Sequence, residues 1–394
     1  MQVATRRWGP VSGWDEPLPD WDGPSTAVLV FAGARVEVPD PALAQVAAAF
    51  PTSAVLGCST AGAVVDDLLE DDAVVVTVVR FAATRLRLRT RPVTASTSAA
   101  TGADLGRALA DDGLAAVLVV SEGLDVNGTA LAAGLVDGLA ERLGAAAAAD
   151  VPVTGGLAGD GDRFGRTWVL VDGRPVPGHV SALGLYGARL RVGWGSQGGW
   201  SVFGPERRVT AAHGNVVHEF DDQPALALYR RYLGDRAGEL PAGALRFPLA
   251  VTRPGSSDRE VVRTVLAVDE DAQTMTFAGD VPTGSRVRLM RASVDRLLDG
   301  AEGAAEDAAL TAGPTPSAAP ALAVAVSCVG RRLVLGDDVD RELEAVRVGL
   351  TGDTVLAGFY SYGELAPVEG GPCRLHNQTM TMTTWQELPD DGRR

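Results

Sequence analysis

One pattern recurs three times along the chain, and a repeated pattern constrains a fold more than the propensity of any single segment does. The first copy opens with the apolar run Ala27-Val28-Leu29-Val30-Phe31, passes Asp40-Pro41, and returns as Ala54-Val55-Leu56 before Gly57-Cys58-Ser59-Thr60-Ala61-Gly62. The second opens with Ala116-Val117-Leu118-Val119-Val120 and reaches Val153-Thr154-Gly155-Gly156-Leu157-Ala158-Gly159-Asp160. The third opens with Leu322-Ala323-Val324-Ala325-Val326 and reaches Val355-Leu356-Ala357-Gly358-Phe359-Tyr360-Ser361-Tyr362-Gly363-Glu364. The first and third turns share the spacing Gly-x-x-x-x-Gly, and the second is equally glycine-rich.

Between each run and its return the spacing predicts a helix. Asp40 suits an N-cap and Pro41 the first helical position, with Leu43, Val46, Ala47 and Phe50 on one face. Asn127 opens the second helix, with Leu131, Leu135 and Leu139 aligned; Asp337 or Asp338 caps the third, with Leu343, Val346 and Leu350 inward. Strand-like runs follow each turn, at 73–81, at 167–170 with 180–186, and at 375–385. A helix with one apolar stripe beside apolar strands is satisfied by stacking on a mixed sheet. The expected fold is therefore α/β with α+β character: mixed sheets layered with helices, built from three related β-α-β-β units in two domains.

The stretch between the second and third units reads differently. It offers a hairpin around Ala212-His213-Gly214-Asn215, a helix from Gln223 to Leu233 capped by Asp221 and Asp222 with Pro224 in its first turn, and several strands up to Met290. A boundary near 222–223 divides a domain over 27–222 from one over 223–386. Residues 1–26 read as a flexible N-terminal segment, 303–320, rich in Ala, Pro and Thr, as a surface linker, and 387–394 as a tail.

Charge and cysteine usage exclude several functions. The chain carries a net charge of −15, and neutralising phosphates requires clustered cations, so nucleic acid is not an expected partner. Three widely spaced cysteines without a CxxC pair form neither a disulfide framework nor a thiolate zinc site, and His213 with His218 fits no familiar metal spacing. No segment has the length of an apolar membrane span or the form of a secretory signal, so a cytoplasmic location is expected, with no membrane partner.

The most specific residues resemble the paired FIST N and FIST C domains. In the first half these are Gly57 to Gly62, Gly155-Gly156 with Ala158-Gly159-Asp160, and Arg208-Val209-Thr210 with Gly214-Asn215-Val216-Val217. In the second half they are Ser327-Cys328-Val329-Gly330-Arg331-Arg332, Gly358 to Glu364, and Leu375-His376-Asn377-Gln378-Thr379. The resemblance spans roughly 27 to 386. It implies a bacterial sensory domain in signal transduction that binds small molecules such as amino acids, has a haem-binding branch, and works with histidine kinases or cyclic-dinucleotide enzymes. No output domain is recognisable here, so the resemblance implies a separate signalling partner.

Ligands of α/β sheets gather outside the carboxyl ends of strands, so the three turns are candidate walls of one shared pocket; the same glycines also serve tight turns, and both readings stand. Candidate ligand-binding residues are Cys58, Ser59, Thr60, Asp160, Arg263, Ser361, Tyr362, Glu364, His376 and Asn377. Glu364 suits a ligand ammonium and Arg263 a carboxylate, unless the two form an internal salt bridge. Asn127 and Asp160 also suit capping and turn roles. A hydrolase or transferase using Ser59 or Cys58, with His376 as base, is the competing reading; Cys58 equally suits a buried structural thiol. No catalytic residue, resident cofactor or metal is assigned, haem being the alternative.

Overall fold

A computed structural model describes residues 1–38, 40–240, 242–255, 260–313, 321–350, 353–368 and 371–389. Each repeated unit supplies a pair of parallel strands to the centre of its own sheet: Thr26–Ala32 with Ala54–Ser59, Leu114–Ser121 with Val153–Leu157, and Ala321–Cys328 with Val355–Ser361. The registers correspond, pairing Phe31 with Cys58, Val120 with Gly156, and Val326 with Phe359. The equivalent positions Gly57, Gly155 and Gly358 are glycine for one steric reason. A Cβ at each would lie 2.4 Å from the carbonyl oxygen of Val30, 1.9 Å from that of Val119, and 1.9 Å from that of Ala325.

Outside each parallel pair the units interlock. On the side of its first strand, each sheet continues with an antiparallel strand of its own unit: Val74–Arg80, His179–Tyr186 or Met380–Glu387. On the other side it accepts a strand that follows another unit's glycine turn. Val169–Val171, after the second turn, joins the first sheet; Gly363–Pro367, after the third, joins the second; Ala63–Val65, after the first, joins the third. This cyclic exchange gives the units a pseudo-threefold arrangement. Their inward faces share one core in which the rings of Phe31 and Phe359 lie 4.8 Å apart, with Leu118, Leu183, Val326 and Trp385 around them.

Helices cover the outer faces. Pro41–Ala49 (α1) packs on the first sheet, and Asp40 caps it through Ala42 N–H as expected. Ser98–Leu109 (α2), not foreseen in the sequence, lies along Gly128–Leu143 (α3), whose cap is Asn127. The short Ala145–Ala149 (α4) follows. Ala225–Leu233 (α5) packs on a separate eight-stranded sheet built from residues 200–292, with its own core around Tyr229, Phe277 and Val287. The strand pair at the hairpin, Trp200–His213 with Val216–Phe220, belongs to this sheet. Asp221 and Asp222 sit in the turn before α5, where Asp221 accepts from Arg208 N–H instead of capping the helix.

Four further expectations need correction. Residues 1–26 are not free of the fold: Gln2–Gly9 pairs with Val74–Arg80, and Trp8, Trp14 and Trp21 pack on the first sheet's outer core. The segment from 303 is not a linker up to Ala312, because Val294–Ala312 (α6) is helical; Pro314 to Pro320 lie outside the described residues. Its small face, Ala301, Ala304, Ala305 and Ala308, lets its backbone touch the strand Leu190–Gln197, where a Cβ on Gly193 would lie 1.9 Å from the Ala308 carbonyl oxygen. The third unit's helix is two: Val329–Leu335 (α7) starts directly at Cys328, and Val339–Gly349 (α8) follows. Glu387, placed in the tail, ends a strand, and 390–394 lie outside the described residues. Among the described residues no helix is long and apolar enough to cross a membrane.

The steric role of the repeated glycine has a direct consequence. Gly358→Ala should cost about 1–3 kcal/mol, as forced overpacking does, with no loss of a side-chain contact. Thermal or urea unfolding checks it, and an unchanged midpoint would show that the parallel strands can separate enough to admit a methyl group.

Candidate functional site

The three glycine turns meet at the carboxyl ends of the parallel strands. Ala61 N–H donates to the Tyr360 carbonyl at 2.8 Å, Gly159 N–H to that of Ser59 at 3.1 Å, and Tyr362 N–H to that of Leu157 at 3.2 Å. These are equivalent bonds between equivalent positions, so the turns form a closed ring of main-chain hydrogen bonds. The expected single pocket shared by all three turns is therefore corrected: the ring fills that centre, and three separate corners lie around it.

Two corners are closed. At the third unit, Arg332 holds Asp71 by two bonds of 2.8 and 2.6 Å and also donates to the Ala61 carbonyl. At the second, the methyl groups of Leu375 lie 2.8 to 3.0 Å from where a Cβ on Gly128, Gly279 or Gly363 would stand, so Leu375 plugs the space. The corner between the first and second units is open. It holds a cleft of about 360 Å³ between the loop after Thr26–Ala32, the turn at Ser59-Thr60, and the segment from Asp160 to Trp168.

Asp160 organises that cleft. Its side chain is buried; Oδ2 accepts from Gly165 and Arg166 N–H at 2.9 and 2.8 Å, and Oδ1 accepts from the Tyr362 hydroxyl. The Tyr362 ring stacks on Phe164, with centroids 4.7 Å apart, so the third unit braces the wall of a cleft that it does not line. Burial and the adjacent Asp160 raise the Tyr362 hydroxyl well above the usual phenol range, which keeps it a donor. Ser59 Oγ lines the cleft and accepts from Trp168 N–H at 3.1 Å, while Thr60 Oγ1 donates to the Ala32 carbonyl at 2.8 Å. Two exposed charges that sequence reasoning missed face the same space: Arg166 and Glu37, neither of them in an ion pair among the described residues. The available signal was Arg166's place in the segment directly following the repeated turn.

The remaining candidates lie elsewhere. Cys58 points into the shared core, where burial pushes its thiol far up, and it does not line the cleft. Ser361 donates to Glu364 Oε1 at 2.7 Å, and Glu364 Oε2 accepts from Thr379 N–H and Oγ1 at 3.2 and 3.0 Å. Glu364 and Arg263 thus form no ion pair with each other, against the internal salt-bridge reading; among the described residues Arg263 donates to the carbonyls of Asp280, Val262 and Leu375. His376 stands opposite Glu364 in the strand pair, with Nε2 donating to the Ala366 carbonyl at 3.1 Å. Asn377 is buried beside Thr264. None of these five lines the cleft, and no histidine does, so haem finds no axial histidine there.

Three interlocked α/β units around a main-chain ring, with an added antiparallel sheet and one open corner, define a mixed α/β protein with a cleft at strand carboxyl ends. The chain belongs to the FIST family: residues 26–223 match the FIST N domain and 225–367 the FIST C domain, which are small-ligand sensory domains of signalling proteins. No curated protein matches it in sequence. Among solved structures it is similar to a chorismatase, with 12% identity over 98% of each chain and a TM-score of 0.38. It is also similar to a cyanuric acid hydrolase, with 12% identity over 98% of this chain and 99% of that one and a TM-score of 0.33, and to a cyanuric acid hydrolase from A. caulinodans, with 16% identity over 78% and 100% and a TM-score of 0.17. Likenesses this weak support no inference about fold or activity here.

The buried cross-strand pair of Glu364 and His376 predicts a pH signature. Burial pushes Glu364 up to about 7 from 4.5, against the bonds from Ser361 and Thr379, so its contribution to stability is complete below the ordinary value and falls as pH rises through 7. Burial, with Arg263 and Arg374 nearby, pulls His376 down to about 4 from 6.5, so its contribution is present above 6.5 and is lost as pH falls. Glu364→Gln removes the first effect only. Its melting temperature should therefore gain on the native protein's between about pH 5 and about pH 8; parallel curves in scanning calorimetry would contradict this assignment.

Proposed function

We propose that the chain is a sensory module of bacterial signal transduction that binds a small zwitterionic metabolite, an amino acid or a close relative, in the cleft between the first two units. The observation that carries this reading is the pair of opposite charges, Arg166 and Glu37, without an ion-pair partner among the described residues and lining one cleft with Ser59. A guanidinium meets a carboxylate by two parallel bonds, and a carboxylate meets an ammonium. These residues replace Arg263 and Glu364 as the candidates for those roles.

Because Asp160 ties the cleft wall to Tyr362, a guest that prefers one arrangement of the wall would shift the third unit as well. A separate signalling protein, such as a histidine kinase or a cyclic-dinucleotide enzyme in the cytoplasm, would read that shift. Binding is preferred to hydrolysis because the Ser59 hydroxyl bonds no histidine or carboxylate, and Cys58 is held as a thiol in the core.

A thermal-shift screen over amino acids and related metabolites tests the proposal. A ligand at about 100 times its dissociation constant should stabilise the protein by about 2.7 kcal/mol, and Arg166→Ala or Glu37→Ala should abolish the shift. No stabilising compound, or a hit indifferent to both substitutions, would remove the cleft as the binding site.

A further inference from the structure

The open cleft presents a second cation besides Arg166. Arg163 and Arg166 both line it, whereas Phe164, between them, turns away to stack on Tyr362. The segment keeps this arrangement because it is wound around one buried carboxylate. Asp160 Oδ2 holds the N–H groups of Gly165 and Arg166, and the Tyr362 hydroxyl bonds both Asp160 Oδ1 and the Gly161 carbonyl. Phe164 stands at φ 50°, a conformation that a bulky residue keeps only where its surroundings fix it, and the stack on Tyr362 does so. The two guanidinium groups are thus set towards the cleft by the loop itself.

Arg163 reaches across the mouth. Its Nη2 donates to the Ala34 carbonyl on the opposite loop, and its Nε lies 3.9 Å from Asp160 Oδ2, so the side chain extends from the second unit to the first. A guanidinium has five N–H donors, and among the described residues Nη1 is left without a partner. The oxygens of Asp160 are already taken up by two main-chain N–H groups and a phenol, so they offer a guest no acceptor. The charged groups that remain for a guest are therefore two guanidinium groups and one carboxylate, Glu37. The cleft's volume of about 360 Å³ lies at the low end of small-molecule sites, which run from about 300 to 1,000 Å³ and suit a single small guest here.

A neutral amino acid engages one guanidinium and the carboxylate, and it leaves Arg163 beside a side chain that cannot accept as a carboxylate does. An acidic amino acid matches all three groups. We propose that Arg163 selects an amino acid of the aspartate or glutamate class, receiving its side-chain carboxylate while Arg166 and Glu37 hold the α-carboxylate and the ammonium. The proposal rests on the reading of this cleft as an amino-acid site and adds the class of side chain. A site that hydrogen-bonds a polar group of its guest rejects the analogue lacking that group, so the amides are the discriminating competitors.

Isothermal titration at constant pH and ionic strength tests it, with sodium L-glutamate against L-glutamine and sodium L-aspartate against L-asparagine. The members of each pair have nearly the same size and differ by one charge. At least one acid should bind about ten-fold more tightly than its amide, the worth of one hydrogen bond to a charged group, and this comparison needs no variant. Arg163→Gln should bring that acid and its amide to similar affinity. Amides that bind the native protein as tightly as their acids would overturn the selection while leaving the cleft an amino-acid site. An acid preference that survives Arg163→Gln would overturn the role of Arg163. Absence of binding by all four compounds would overturn the proposal, whereas the underlying reading falls only if the wider metabolite screen also yields no hit dependent on Arg166 and Glu37.

Discussion

The ring of main-chain hydrogen bonds among the three glycine turns is the constraint on which the rest of the molecule depends. In cyclic order each turn donates one N–H to the preceding unit and offers one carbonyl to the following one, and the strand that follows is carried into a neighbour's sheet. No sheet is complete until the others are in place. A buried main-chain group without a partner is costly, so opening one link leaves both a donor and an acceptor stranded. The glycines of the repeat serve this interlocking, since side chains at Gly155 or Gly358 would strike the neighbouring strand's carbonyl.

The frame is nearly symmetric, and function follows from how the symmetry is broken. Equivalent corners carry an ion pair, a leucine plug and an open cleft, and only the last leaves room and free charge for a guest. The third unit also bears the heaviest buried polar load. Arg331 and Glu342 form a fully buried ion pair whose remaining atoms are met by Ser327, Tyr360 and the carbonyls of Gly198 and Leu297. A buried pair is tolerated when every lone pair and proton finds a partner, and this one ties α7, α8 and α6 to the parallel strands.

Much of the fold was legible locally. Asp40 with Pro41, and Asn127, announced helices α1 and α3 because capping is a property of a few adjacent residues. The parallel strands were apolar runs because both of their faces are buried. Less legible was α6, whose alanines and glycines read as linker. Their small size is what lets the helix lie directly on Gly193 and Gly195, and that partner strand is about a hundred residues away in sequence.

The candidate site divides along the same line. The amino-acid order alone determined that three related units exist, that each ends in a glycine turn at strand carboxyl ends, and that Ser59, Thr60 and Asp160 stand at those turns. Only the tertiary structure decided which turns share a cleft, that Tyr362 braces it from a third unit, that Glu364 and Arg263 have separate partners, and that Arg166 and Glu37 line the same cleft. Capping and periodicity act over a few residues and leave a local trace. The exchange of strands and the meeting of charges join residues far apart in the chain, so no local pattern records them.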